Sequence, residues 1–263
     1  MKLRFLLPLL VLGCACGLVA RAQKPAASGI AHVAYRAGNA DAELAFFAKL
    51  GYEPSFSFTN KAGKVTQIFV KVNDRQFIEV YTQLDPAQPL GWLHVCYESD
   101  DLTAYAAALA SRGLTPGAVH KAGAGNLITA FNDPDGRTTE FTQYMPGSKH
   151  LLDQGQHLGA NRISTAVAGV EFAAPDQGAA RKFYEQMGFT VTPQGPGLHI
   201  QITEKSYPWI SLLPAGSKPA LYLHVENLKQ AEAKAQKAGL TIKKQKKSFS
   251  TTDPEGNTFI FTE

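Results

Sequence analysis

The sequence predicts an α+β fold built from two similar domains, and three observations support this expectation. The 263-residue chain is 44% hydrophobic and 18% charged, which is typical of a globular protein with a core and not of a disordered chain. A strand-then-helix pattern recurs at residues 29–52 and 167–189, and an Asp-Pro-acid-Gly turn recurs at residues 133–136 and 253–256. Because this repeat of about 120–135 residues is too long for a solenoid unit, it indicates a duplicated domain.

The first segment, residues 1–22, has the pattern of a secretory signal peptide. Two basic residues precede an apolar run, and residues 20–22 form an A-x-A pattern that predicts cleavage after Ala22. The minority interpretation is a bacterial lipobox at residues 11–14, which would make Cys14 a lipid-anchored N-terminus. In either case we expect an exported protein, periplasmic or secreted. The apolar run is short for a membrane span, so we predict none.

Charge and cysteine content limit the partners of the mature chain. Three of the basic residues behind the net charge of +4 lie in the first 22 residues, which contain no acid. The remaining chain is nearly neutral, so we expect a small-molecule substrate and no nucleic acid. Cys96 is the only cysteine after the cleavage point, which excludes an intramolecular disulfide and a cysteine-based metal cluster.

The first half, residues 28–145, divides into two modules of similar order. Residues 32–81 show a strand, a helix that stops at Gly51, and then strands. Residues 92–144 show a strand, a helix over residues 102–114, and strands again. We therefore expect two strand-helix-strand modules in this half.

The second half, residues 163–263, repeats this order with a linker before it. A strand near residue 170 leads to a helix that stops at Gly188, and a second helix covers residues 228–240. Residues 146–162 are rich in turn-forming and polar residues, so we expect them to connect the two halves.

Four polar residues of the first half lie in strand-like apolar surroundings: His32, Glu79, His94 and Glu140. A carboxylate in such surroundings is costly unless it is paired or coordinates a cation. Two imidazoles and two carboxylates suit one divalent transition metal, namely Ni, Co, Zn, Mn or Fe. Taken singly, each residue also has an ordinary explanation as a hydrogen-bonded histidine or a solvent-facing glutamate.

The segments around these four residues resemble the vicinal oxygen chelate superfamily, which includes glyoxalase I, bleomycin and fosfomycin resistance proteins, methylmalonyl-CoA epimerase and extradiol dioxygenases. The matching segments are Gly29-Ile-Ala-His32, Phe77-Ile-Glu79-Val, Trp92-Leu-His94-Val and Asp133-Pro-Asp-Gly-Arg-Thr-Thr-Glu140-Phe. The resemblance covers nearly all of residues 28–145 and, more weakly, residues 163–263. It implies tandem domains, each of paired βαβββ modules that form an open cup, with a metal held by the four residues.

The order His, Glu, His, Glu is most similar to bacterial glyoxalase I, and this implies further site residues. Glu140 or Glu79 would act as the catalytic base. Arg36 and Gln83 stand where glyoxalase I has substrate-binding side chains, although the second of these is Asn in that enzyme. Cys96 and Glu98 follow the second histidine at alternate positions, so they are also candidates to contact substrate.

The second half lacks these residues. Alignment of the two halves puts Gly169, Ser211, Ala220 and Ile260 at the four metal positions. We therefore expect a metal-free second domain, which could serve as a lid, a pseudo-dimer partner or a separate binding cup. A complete site then needs all four ligands in one cup, which we favour, or exchange of modules between the two chains of a homodimer.

Three functions compete on this basis. The leading hypothesis is an exported, glyoxalase-like lyase or isomerase that acts next to a carbonyl group. The second is a ring-cleaving dioxygenase of the extradiol type, which would use iron and need only three of the four ligands. The third is a periplasmic protein that binds and sequesters a small molecule, as bleomycin resistance proteins do, and needs no metal.

Overall fold

The computed structural model describes residues 26–263, so the predicted signal peptide at residues 1–22 lies outside the described part. Within that part, no helix is both long enough and apolar enough to cross a membrane.

The first half folds into one eight-stranded sheet with strand order β2-β3-β4-β1-β5-β8-β7-β6. Its strands are β1 (Ala27–Ala37), β2 (Glu53–Thr59), β3 (Val65–Lys71), β4 (Phe77–Thr82), β5 (Gly91–Ser99), β6 (His120–Lys121), β7 (Leu127–Asn132) and β8 (Thr138–Gln143). Helix α1 (Ala40–Lys49) follows β1, and helix α2 (Leu102–Ser111) follows β5.

The second half forms a second eight-stranded sheet with the equivalent order, β10-β11-β12-β9-β13-β16-β15-β14. Its strands are β9 (Ala166–Ala173), β10 (Thr190–Gln194), β11 (Gly197–Gln201), β12 (Trp209–Leu213), β13 (Ala220–His224), β14 (Lys243–Lys244), β15 (Ser248–Thr252) and β16 (Thr258–Thr262). Its helices are α4 (Gln177–Gln186) and α5 (Leu228–Lys237), and the short helix α3 (Lys149–Leu152) lies between the two sheets in sequence.

Each sheet consists of two βαβββ modules joined side by side. The opening strands β1 and β5 pair antiparallel at the centre, while β1 pairs parallel with β4 and β5 pairs parallel with β8. The structure therefore confirms the predicted α+β fold of paired βαβββ modules, and each sheet takes its eight strands from one half of the chain.

The helices begin and end where local sequence chemistry favours it. The side chains of Asn39 and Asp101 accept hydrogen bonds from the first turns of α1 and α2. Gly51 and Gly113 follow these helices with φ of 80° and 86°, a left-handed conformation that suits glycine. Helix α2 ends at Ser111, three residues before the predicted end at Leu114, because its C-terminal cap precedes Gly113.

The two halves pack through one hydrophobic core made of helices and the outer faces of both sheets. Phe46 and Phe47 of α1 contact Phe259 of β16, with ring centroids 5.2 and 5.8 Å apart. In the second half, Phe183 of α4 contacts Phe131 of β7 in the first half, with ring centroids 5.7 Å apart. The outer face of each sheet is covered in this way, and its opposite face forms a cup.

Candidate metal centre

Strand register brings the four predicted ligands to the centre of the first sheet. His32 of β1 lies opposite Cys96 of β5, and Cys96 lies beside Glu140 of β8. Ala34, two residues after His32, lies beside both His94 and Glu79. Since alternate residues of a strand share a face, all four side chains enter the same cup.

The Nε2 atom of His32 is the centre of the group. It lies 3.1 Å from Nε2 of His94, 3.1 Å from Oε2 of Glu79 and 3.5 Å from Oε1 of Glu140. Nε2 of His94 lies 3.5 Å from the same oxygen of Glu79. Two ligand atoms about 2.0 to 2.2 Å from one ion are separated by about 2.8 to 3.6 Å in octahedral or tetrahedral geometry, so the donor atoms of His32, Glu79 and His94 fit a single metal ion. Glu140 approaches this group only through His32 and would have to move closer to become the fourth ligand.

The electrostatics of the group also suit a cation. His32, Glu79 and His94 are buried, and the side chain of Glu140 is 19% exposed. Burial opposes the charged form of Glu79, but the charge and hydrogen bonds of the two histidines outweigh it and lower the pKa to about 2. Burial likewise opposes charge on His32, yet Glu79 and Glu140 raise its pKa. The carboxylates thus attract positive charge to this point.

A cavity of about 370 Å³ opens beside the ligand group. It takes in three of the ligands, His32, Glu79 and Glu140. Its other walls combine apolar and polar side chains, namely Phe58, Phe69, Tyr81, Ile128, Gln67, Asn126, Thr142 and His150, with His120 and Lys121 also contributing. A small molecule in this cavity would lie against Glu140, the most accessible of the four ligands.

Cys96 lies within the cup but is packed rather than open. Its sulfur and ligand atoms of His32 and Glu140 lie within 4.8 Å of one another. The side chain belongs to a buried cluster with Phe69, Phe77 and others on the cup face. Burial raises the pKa of the Cys96 thiol well above its usual value, so the sulfur stays protonated in the absence of a metal.

Three other predicted substrate contacts lie away from the cavity wall. The Arg36 guanidinium donates a hydrogen bond to the carbonyl of Pro89, 3.0 Å away, and the Gln83 amide donates to the carbonyl of Gln88 at 2.7 Å. Buried Glu98 forms an ion pair with Arg75. The structure thus brings the four metal positions together, whereas the substrate-binding roles of Arg36, Gln83 and Glu98 stay predictions.

The cavity also contains a histidine that no residue pattern predicted. His150 of α3 belongs to the segment predicted to be a linker, and it is only 2% exposed. Its ring stacks on Tyr144 at 4.8 Å and contacts the edges or faces of Phe56, Phe69 and Phe77. Burial lowers the pKa of His150 to about 3, so its imidazole is neutral. The sequence signal for this element is weak: Ser148, which caps α3, precedes only one helical turn.

The second sheet has an aromatic cluster where the first has its ligands. Its registers put Gly169, Ser211, Ala220 and Ile260 at the four equivalent positions. The Trp209 ring lies directly over Gly169, and it contacts Tyr222 with centroids 4.8 Å apart. This cup therefore presents aromatic side chains in place of metal-binding groups.

Comparison with known proteins relates this geometry to a family. Residues 29–141 match the family model described as the Glyoxalase/Bleomycin resistance protein/Dioxygenase superfamily. No curated protein matches the chain in sequence.

Solved structures with the same fold include both glyoxalase and dioxygenase examples. The Mn(II)-bound glyoxalase from Novosphingobium aromaticivorans superposes with a TM-score of 0.70 and 17% identity, over 90% of this chain and 82% of its own. A catechol 2,3-dioxygenase superposes with a TM-score of 0.71 and 13% identity, over 90% of this chain and 88% of its own. The 2,3-dioxygenase LapB from Pseudomonas sp. KL28 superposes with a TM-score of 0.68 and 15% identity, over 91% of this chain and 93% of its own. The matched residues confirm the resemblance seen in the sequence: residues 29–141 match the glyoxalase, bleomycin resistance protein and dioxygenase superfamily, and the chain has the fold of solved glyoxalase and dioxygenase structures.

Proposed function

We propose that this protein is an exported, metal-dependent lyase or isomerase that acts on the carbon next to a carbonyl group. The observation that carries the proposal is the convergence of two imidazole nitrogens and two carboxylate oxygens in one cup, with separations of 3.1 to 3.5 Å around His32. A divalent transition metal held there would polarise a carbonyl oxygen and stabilise the negative charge that forms when the neighbouring C–H loses its proton.

The position of Glu79 favours this chemistry over ring cleavage. A dioxygenase of the extradiol type needs three ligands, so Glu79 would be surplus in that hypothesis. Here one oxygen of Glu79 approaches the Nε2 atoms of both His32 and His94, so this carboxylate belongs to the donor group. Pure sequestration would leave this buried polar group without a purpose, because burying charged side chains is costly.

Among the two carboxylates, Glu140 is the better candidate for the base. Glu79 is held by both histidines and is buried, whereas Glu140 approaches only His32 and is partly accessible. Its carboxylate lines the cavity, where it could take the proton from a substrate C–H and return it to the neighbouring carbon. Phe58, Phe69 and Ile128 would exclude water from that step.

Proton exchange tests the proposal. Metal-loaded protein is incubated in D₂O with the hemithioacetal of phenylglyoxal and 2-mercaptoethanol, and with simple α-hydroxy ketones, while NMR follows the C–H signal next to the carbonyl. We expect exchange or isomerisation of at least one compound, and a loss of about 100-fold or more in Glu140→Gln at retained metal content.

The matched control is Glu171→Gln, which removes the carboxylate of a glutamate in the second sheet and should leave the rate unchanged. Absence of exchange with every carbonyl compound, together with oxygen uptake on catechol by the iron-loaded protein, would contradict the proposal and favour the dioxygenase.

Export is the remaining part of the proposal and rests on the pattern of residues 1–22. Expression of the full chain in a bacterial host should give a periplasmic protein whose N-terminus, determined by mass spectrometry, is Gln23. A cytoplasmic protein that keeps its first 22 residues would contradict export.

A further inference from the structure

Besides Nδ1 of the ligand His32, two buried polar atoms of residues that line the first cup lack hydrogen-bond partners among the described residues. They are Nε2 of His150 and Oδ1 of Asn126, and both side chains line the cavity that contains the metal ligands. Both residues are at least nine-tenths buried, with exposures of 2% and 4%. Leaving such an atom unpaired costs about 1 to 3 kcal/mol, so each one calls for a ligand or another explanation.

These two side chains form one rigid unit. Nδ2 of Asn126 and Nδ1 of His150 are 2.9 Å apart and share a hydrogen bond. The backbone N–H of Lys149 donates to the carbonyl of Ala124 at 2.8 Å, which fixes α3 to the turn before Asn126. At the other end of α3, Nζ of Lys71 lies 2.9 Å from a carboxylate oxygen of Asp153. The pair is therefore held in place before any ligand arrives.

The hydrogen-bonding capacity of the pair does not depend on how the Asn126 amide is turned. If its NH₂ group donates to Nδ1 of His150, then Nε2 carries a proton and donates, while Oδ1 of Asn126 accepts. If the amide is reversed, Nε2 accepts and the NH₂ group of Asn126 donates. In both arrangements the neutral pair offers one donor and one acceptor.

The surroundings define what lies between this pair and the metal position. The Phe69 ring contacts His32 on one side and His150 on the other, with centroid distances of 5.9 and 5.2 Å. Phe58 and Ile128 add apolar surface to the same cavity. A planar apolar group in this cavity would therefore pack against Phe58, Phe69 and Ile128.

We propose that His150 and Asn126 hold a hydroxyl group at the far end of a substrate whose aromatic body lies against Phe58 and Phe69 and whose two neighbouring oxygens face the metal position. A hydroxyl both donates and accepts, so a single such group satisfies both members of the pair, whereas a carboxylate only accepts and an ammonium only donates. This inference rests on the proposed function and adds the substrate class to it.

Two hydroxamic acids test the inference, because a hydroxamate binds metals through two neighbouring oxygens. Calorimetry compares benzohydroxamic acid with 4-hydroxybenzohydroxamic acid on the zinc-loaded protein. We expect the hydroxylated compound to bind about 10-fold more tightly to the wild type. In His150→Phe, which keeps an aromatic ring in place, and in Asn126→Leu, the ratio should fall below about 2-fold while the affinity for benzohydroxamic acid is retained. The control His157→Phe changes another histidine of the same segment and should keep the wild-type ratio.

The melting temperature of the metal-free protein separates a binding role from a structural one. Because the double change His150→Phe with Asn126→Leu removes unpaired polar groups at similar shape, we expect an unchanged or raised melting temperature. A marked fall would show that the pair only supports the fold and would overturn the inference. Equal affinities of the wild type for both compounds would also overturn the inference. They would mean that only a bridging water satisfies the two polar atoms, and they would leave the proposed function intact. If neither compound binds, both the inference and the proposed function are overturned.

Discussion

His32 and Gly169 occupy equivalent positions in the two sheets, yet only one of them can carry a side chain. Each lies beside an aromatic residue of the neighbouring parallel strand, Phe77 in the first sheet and Trp209 in the second. A Cβ atom at Gly169 would lie 2.4 Å from the Trp209 ring, well inside van der Waals contact. The indole ring thus takes the space that a histidine side chain uses in the first cup, and restoring one ligand alone would not rebuild a metal site.

Substitution at this position should be costly for steric reasons. We expect Gly169→Ala to lower the free energy of unfolding by about 1 to 3 kcal/mol, and Gly169→Ala with Trp209→Leu to recover most of the loss. Urea unfolding measures both. The control is Gly29→Ala on the first strand, where the nearest neighbour of an added Cβ lies 3.8 Å away. A Gly169→Ala variant as stable as the wild type would contradict the steric account.

Residue patterns predicted the four converging side chains but not the polar pair in the cavity. His32, Glu79, His94 and Glu140 drew attention as polar residues inside apolar strands, where a charge is costly. Taken singly each had an ordinary explanation, and the resemblance of their segments to a known superfamily favoured a shared metal site. His150 lies in a polar connector, where a histidine is unremarkable. Its importance comes from tertiary contacts with distant aromatic residues such as Phe69 and Phe77, which no local pattern contains.

At the scale of elements, the connector between the halves is a structural part of the first cup. Lys71 at the end of β3 is fully buried and forms ion pairs with Asp74 at 2.8 Å and Asp153 at 2.9 Å. Farther along, the Arg162 guanidinium donates to the carbonyl of Val72 at 2.7 Å. Turn-forming composition predicts a connection here, but composition carries no information about the surface to which a connection binds.

The buried ion pairs of Lys71 should anchor the connector to the first sheet and stabilise the fold. Lys71→Met leaves buried carboxylate charge uncompensated, so we expect a loss of about 3 to 5 kcal/mol in the free energy of unfolding. Hydrogen exchange should increase over residues 149–155 in particular. Lys64→Met makes the same change at an exposed position of the β2–β3 turn and should have little effect. Equal exchange in both variants would argue against this anchoring role.

At the scale of the whole molecule, the two halves meet at a buried acidic contact. Tyr35 donates a hydrogen bond to Glu43 at 2.7 Å, and the Glu43 carboxyl group also faces Asp253 of the second half. Burial, together with Asp253 and Glu255, raises the pKa of Glu43 to about 7. Burial also raises the pKa of Asp253. The folded protein therefore keeps a proton that the unfolded chain releases near pH 4 to 5.

This contact predicts a specific pH dependence. Because the folded-state pKa of Glu43 is raised, its stabilising contribution is complete below about pH 4.5 and is lost as the pH rises through about 7. We expect Glu43→Gln, which stays neutral, to match the wild type near pH 5 and to exceed its free energy of unfolding by about 1 to 3 kcal/mol at pH 8. Urea unfolding at both pH values is the measurement, with exposed Asp41→Asn as the control. Parallel pH profiles for wild type and Glu43→Gln would refute this explanation.

The duplication of the whole fold could be predicted from the sequence, because turn and helix landmarks repeat along the chain. The packing of α1 against β16 of the other half could not be predicted from the sequence, since contacts such as Phe46 with Phe259 join residues far apart in the chain.

Metal content tests the central claim most directly. The wild type, His94→Ala and His199→Ala are purified without chelators, reconstituted with Mn, Fe, Co, Ni or Zn, and analysed for metal per chain. His199 is the matched control because it is a strand histidine of the second sheet. We expect about one ion per chain in the wild type and in His199→Ala, and a nearly complete loss in His94→Ala. A metal-free wild type, or full occupancy in His94→Ala, would contradict it.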